Sequence, residues 1–189
     1  FVGAWGFSVD NLKRPKEEVD FLMSLFDSTI KKLQPEFLKR NNRFIHIGRK
    51  DIFANYPSLK ETIEISEQST RNNSGQVIYI GIGYGGKDQE LRMAQKVAYK
   101  ARVNPDLRVT EEFLESLRDG EGRIPSADLI IRSSGEHRLS DVGWLQDSGT
   151  ELDFPKKLFP NFTTEDFVKS IITFSKKERR LGGRLKKES

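Results

Sequence analysis

Three residues close together, Arg132, Arg138 and Ser140, with Glu151 further on, have side chains suited to holding an anion. They follow Ala127 to Ile131, a short apolar run of strand character that stops at Arg132, and a glycine-containing turn, Ser133-Ser134-Gly135-Glu136. In an open α/β sheet, ligands sit in the crevice beyond the carboxyl ends of strands, so two guanidiniums and a hydroxyl placed there suit an anionic ligand, with phosphate the first candidate. Arginine grips phosphate oxygens with a planar fork and serine adds a neutral donor. A carboxylate beside bare phosphate requires a cation between them, so Glu151 reads as a Mg²⁺ ligand.

Elements that could position these residues alternate along the chain. The opening run Phe1 to Phe7 is an apolar strand, and Asn11 to Pro15 is a turn whose proline suits the first residue of a helix. Val19, Leu22, Met23, Phe26, Ile30, Leu33 and Phe37 then recur at three- and four-residue steps, which predicts a helix to about Arg40. Phe44 to Gly48 is a second strand, and His46 within it, with no other ligand type nearby, reads as structural. A helix after Tyr56-Pro57-Ser58, a strand over Gln76 to Gly83 and a helix from Asp88 to Ala101 follow, the last two closed against each other by Gly85 and Gly86. Thr110 to Arg118 is helical, and the loop Asp119-Gly120-Glu121-Gly122 suggests no function. The stretch up to Gly149 is helix-compatible and Glu151 opens another extended run. A last helix, capped by Thr163 or Thr164, has Phe167, Ile171 and Phe174 on its apolar side. This alternation predicts α/β architecture, a mostly parallel sheet flanked by helices within a single domain over residues 1–189, with a basic tail over 176–189.

Composition narrows the chemistry. The absence of cysteine removes disulfides, thiolate metal sites and thiol nucleophiles, and two histidines leave little for a histidine-rich metal centre. The formal charge of +4 could serve nucleic acid, anionic lipid or a phosphorylated small molecule. No apolar run is long enough to span a bilayer.

The run IRSSGEHRLS, then ELDF, LFPNF and ERRLGG, resembles the C-terminal signature of the cis-prenyltransferases, the undecaprenyl-diphosphate-synthase family. Two further matches lie in family order. GFSVDNLKRPKEEVDFLM resembles the strand-and-helix motif, with Phe7, Ser8, Asn11, Arg14, Pro15 and Glu18 in register, and Gly83 to Lys87 resembles the tyrosine-glycine-glycine turn. The resemblance implies an enzyme that joins isopentenyl diphosphate to an allylic diphosphate, extending a polyprenyl chain with a cis double bond and releasing pyrophosphate with Mg²⁺. It assigns Arg132, Arg138 and Ser140 to the diphosphate of the homoallylic substrate and Glu151 to the metal. Arg14 falls near the allylic diphosphate, and Ser8 and Asn11 fall beside the reacting carbons. Glu18, Glu136 and His137 take supporting places. The long first helix lines the family's product tunnel, so its stripe serves either core or product.

The resemblance further implies a cytoplasmic homodimer that works peripherally at a membrane surface and binds no nucleic acid. Arg180-Leu181-Gly182 is either solvated tail or the family's terminal motif folding over the substrate. The family's aspartate-glycine-asparagine-x-arginine segment has no match, so the chain is expected to lack the family's N-terminal strand and helix and half of its metal site, which would impair its activity. Leu12, Arg49 and Asp141-Val142-Gly143 also depart from the family pattern. A non-catalytic accessory subunit and, on charge alone, a nucleic-acid-binding module are the competing readings.

Overall fold

A computed structural model describes residues 1–178, so Arg180-Leu181-Gly182 lies outside the described residues. The fold divides into two units, Phe1–Ile124 and Pro125–Ser189.

The first unit is built on a parallel sheet in the order β1 (Val2–Ser8), β3 (Val77–Tyr84), β2 (Arg43–Ile47). Register runs from Val2 opposite Ile78 to Ser8 opposite Tyr84, and from Arg43 opposite Val77 to Ile47 opposite Gly81. Parallel strands need long crossovers, and helices α1 (Lys16–Lys39) and α2 (Pro57–Ser69) supply them. Pro15 is the N-cap of α1, one residue earlier than its sequence suggested, and α1 continues through Pro35 although that ring removes one backbone hydrogen bond. Packing explains the continuity, because Ile30 and Phe37 on either side of the proline are both buried. With Val19 and Met23 they meet Phe7, Phe44, Phe53, Leu59, Ile63 and Ile82 in one core. Phe37 stacks on Phe44 with ring centroids 5.4 Å apart.

The free edge of β2 is sealed by side chains. The amide of Phe44 donates to Thr70 Oγ1 at 3.0 Å, that of His46 to Glu67 Oε1 at 2.9 Å and that of Gly48 to Asp119 Oδ2 at 2.9 Å. An exposed strand edge otherwise templates pairing with another chain. Gly48 itself is required, since its φ is 121° and a Cβ there would lie 2.3 Å from the Ile82 carbonyl oxygen. Asp119 belongs to the loop that suggested no function in the sequence, and it also takes two hydrogen bonds from Arg92, at 2.6 and 2.8 Å. Arg92 lies on α3 (Gly86–Val103), and α4 (Glu111–Ser116) precedes the loop.

The second unit holds a parallel pair, β4 (Leu129–Ile131) and β5 (Glu151–Asp153), with Leu129 opposite Glu151 and Ile131 opposite Asp153. The helix expected before Gly149 does not form. One turn of 3-10 helix spans Gly143–Leu145, and Gly143 has φ 57°, which a right-handed helix cannot accommodate. The last helix, α5 (Thr164–Ser175), is capped by Thr163, whose hydroxyl accepts from the Asp166 amide while Asp166 accepts in return from the Thr163 amide.

His46 is buried, its Nε2 donates to the Ile82 carbonyl at 2.9 Å, and Phe53 lies edge-on 5.2 Å from its ring. The structural reading of this histidine agrees with that packing. Burial pushes its pKa down from 6.5 to about 4. Between these values the unfolded chain takes up a proton that the folded chain refuses, so stability present above pH 6.5 is lost as pH falls towards about 4. Carboxylates begin to contribute only lower in that range. Denaturant midpoints measured at about pH 7 and about pH 5 are expected to be lower at the acid value, and His46→Gln to flatten the difference; an unchanged slope in the variant contradicts the assignment.

Candidate active site

In the first unit the motif residues gather where β1 ends. Ser8 caps a 3-10 turn over Val9–Lys13: its hydroxyl accepts from the Asn11 amide at 3.2 Å, and Asn11 Oδ1 accepts from the Ser8 amide at 2.9 Å. The two side chains thus hold each other, and the chain leaves the turn at Arg14. The Arg14 guanidinium reaches Glu18 Oε1 at 2.9 Å, one turn along α1, and stays half exposed. This places Glu18, read as a supporting residue, as the group that orients Arg14.

Register brings the glycine turn alongside, because Ser8 pairs with Tyr84, the last residue of β3. Trp5 Nε1 donates to the Tyr84 carbonyl at 3.2 Å and its ring meets that of Tyr84 edge-on, fixing the end of β3 to β1. Gly85 then caps α3. The Lys13 ammonium holds the Asp10 carboxyl below its usual range, and the charge of Lys87 from the glycine turn adds to the effect. Two sequence motifs separated by most of the unit therefore share the carboxyl end of one sheet.

In the second unit Arg132 follows β4 directly, and its amide donates to the Asp153 carbonyl at 2.8 Å. Ser134 and Gly135, both with positive φ, turn the chain, and their amides are held by the carbonyls of Lys157 at 2.6 Å and Pro155 at 2.9 Å. Across this turn Arg132 Nη1 donates to Ser140 Oγ at 3.0 Å. Arg138 is exposed and pairs with Glu136, while His137 packs against Phe154 with centroids 4.9 Å apart. The structure therefore joins Arg132 to Ser140. It places Glu151 elsewhere on the ladder: opposite Leu129, it lies three residues before Arg132, about 10 Å along a strand direction, and its carboxylate meets Lys177 Nζ at 2.7 Å.

A model of the putative undecaprenyl diphosphate synthase family matches residues 1–182. The chain belongs to that family. An isoprenyl transferase of Thermotoga maritima is 38% identical over 185 residues, which is 97% of this chain and 77% of that protein. A Thermoplasma acidophilum protein named tritrans,polycis-undecaprenyl-diphosphate synthase (geranylgeranyl-diphosphate specific) is 36% identical over 183 residues, 94% of this chain and 69% of that one. The crystal structure of lavandulyl diphosphate synthase from Lavandula x intermedia, in complex with dimethylallyl diphosphate, matches with a TM-score of 0.87 at 30% identity, covering 95% of this chain and 78% of that one. The mostly parallel α/β fold is common to this chain and its structural neighbours in the undecaprenyl diphosphate synthase family.

Sequence reasoning missed two contacts of this family member. Lys177 lies in what reads as a basic tail, yet it holds Glu151, and Trp5, read only as part of an apolar strand, anchors the glycine turn. A partner 26 residues away in sequence leaves no local signal.

Ser140 combines a hydrogen bond with a strained backbone, φ 54°. Ser140→Gly loses the hydroxyl but relaxes the left-handed conformation, whereas Ser140→Ala loses the hydroxyl and keeps the strain. The alanine variant is expected to be less stable than the glycine variant by roughly 1 kcal/mol in denaturant unfolding. An alanine variant as stable as the glycine one removes backbone strain from the account.

Proposed function

We propose that this chain acts as a single catalytic domain that condenses isopentenyl diphosphate with an allylic diphosphate to give a cis-polyprenyl diphosphate. Membership of the undecaprenyl diphosphate synthase family supports the reaction, and the Arg132 to Ser140 contact beyond β4 is the observation that carries the site. The allylic C1–O bond breaks and the electron pair leaves with pyrophosphate. The C1–C4 bond forms to the isopentenyl double bond, and a proton is lost from the isopentenyl C2. Two diphosphates repel each other strongly as water is excluded, so cationic groups have to hold both before the carbons approach.

Arg132 with Ser140 would hold the isopentenyl diphosphate, the serine fixing one guanidinium N–H while the others remain to donate. Arg138 would add a second grip. Its present partner Glu136 is an exposed residue two positions away, and such exposed pairs are worth about 0 to 1 kcal/mol, so exchange for a diphosphate costs little. Arg14, aimed by Glu18, would hold the allylic diphosphate, with Ser8 and Asn11 next to the reacting carbons.

Mg²⁺ would neutralise the departing pyrophosphate. Among the described residues no group of three or more acidic or histidine side chains could hold a metal. Mg²⁺ is commonly bound by one or two carboxylates together with substrate phosphates, so Glu151 and a diphosphate form a fitting donor set. That carboxylate is paired with the Lys177 ammonium, which Mg²⁺ would have to displace. Lys177→Ala is expected to tighten Mg²⁺ binding in the presence of isopentenyl diphosphate, read by calorimetry; unchanged affinity in both Lys177→Ala and Glu151→Gln would remove Glu151 from the metal.

No helix among the described residues is long and apolar enough to cross a membrane, and we propose a cytoplasmic homodimer that meets the membrane from its surface. The basic residues near the carboxyl end favour anionic lipid.

Full-length protein supplied with labelled isopentenyl diphosphate, an allylic diphosphate and Mg²⁺ is expected to form extended products. Arg132→Ala and Arg138→Ala should raise KM for isopentenyl diphosphate by roughly tenfold or more with a smaller effect on the allylic substrate, and Arg14→Ala the reverse. No product with any allylic primer sinks the proposal, and equal effects on both substrates would dismiss the division of labour.

A further inference from the structure

The residues assigned to the reaction leave unexplained a cavity of about 800 Å³ in the first unit, and none of them lines it. It runs along the free edge of β2. The end of α2 and Arg71 form one side, and Arg92 and Lys96 of α3 with the Arg118 to Arg123 segment form the other. We infer that this cavity is a second anion site, for a small di- or triphosphate.

An exposed strand edge first suggests an added strand, and the hydrogen bonds exclude it. A new strand would need the outward amides of Phe44, His46 and Gly48, and Thr70, Glu67 and Asp119 already take them. A ligand must therefore use the side chains.

Those side chains favour an anion. The wall carries eight lysines and arginines against five aspartates and glutamates. Glu67 is neutralised by Lys50 at 2.9 Å and Asp119 by Arg92 at 2.6 Å. Arg43 and Arg71 have no ion pair among the described residues, and Lys96 meets only the neutral Leu117 carbonyl, at 2.8 Å. Positive charge is left over on both sides of the groove, which favours an anionic ligand. The aromatic side chains along it, Phe44 and His46, are buried, so stacked bases of a nucleic acid strand find no platform. The volume is in the range of small-ligand sites, which suits a compact polyanion. Pyrophosphate, the leaving group of the proposed reaction, has this chemistry.

The sequence provides its own reporters, because its two histidines fall one in each unit: His46 lines the cavity and His137 lies beside Arg138. Inorganic pyrophosphate and triphosphate are titrated into the chain while the imidazole resonances of both histidines are followed by NMR. Saturable movement of His46 is expected, stronger for triphosphate. Charge reversals Arg43→Glu and Arg71→Glu should weaken that response about tenfold or more each, while Arg132→Ala leaves it in place. Should the reversals unfold the chain, Arg43→Gln and Arg71→Gln remove the charge alone and carry the same expectation. A stationary His46 under conditions that saturate His137, or a His46 response that survives both Arg43 and Arg71 variants, overturns the inference. Failure of the condensation assay would not touch it.

Discussion

Parallel pairing is the constraint on which the rest of this structure depends. Every strand in both sheets runs the same way as its neighbour, so the carboxyl ends of paired strands lie together and the loops that leave them become neighbours. Ser8 stands beside Tyr84 for that reason, and the turn that holds Asn11 and Arg14 shares an end of the sheet with Gly85 and Gly86. In the second unit the same geometry ties Arg132 to Asp153 through the backbone and leaves its guanidinium to Ser140.

Local hydrogen bonds then fix what the strands position. Ser8 and Asn11 cap each other, Glu18 orients Arg14, and the Ser134-Gly135 turn is held by the carbonyls of Lys157 and Pro155. The cations themselves remain at least partly exposed; Arg14 and Arg138 have acidic partners four and two positions away, and Arg132 has the Ser140 hydroxyl. A diphosphate can displace such partners at small cost, which makes the arrangement compatible with repeated binding and release.

Much of this was legible in the sequence wherever the signal was local. The apolar stripe of α1 announced a helix through Pro35, because Ile30 and Phe37 continue it on both sides, and the threonine pair Thr163-Thr164 announced the start of α5, with Thr163 the residue that caps it. The strand before Arg132 was readable, although β4 and β5 are only three residues each. The helix expected before Gly149 failed because Gly143 takes a left-handed conformation, a choice the residue permits but does not require. Contacts between distant residues gave no signal: neither Asp119 sealing the Gly48 amide nor Lys177 on Glu151 could be found by spacing. The site was legible as a set of residue types, and its internal geometry was not.

A structure of the protein with isopentenyl diphosphate bound tests the central claim most directly. The account predicts diphosphate oxygens within about 3 Å of the Arg132 and Arg138 guanidiniums and the Ser140 hydroxyl, with Glu136 displaced from Arg138. A diphosphate bound elsewhere, with Arg132 still on Ser140 and Arg138 still on Glu136, would contradict it.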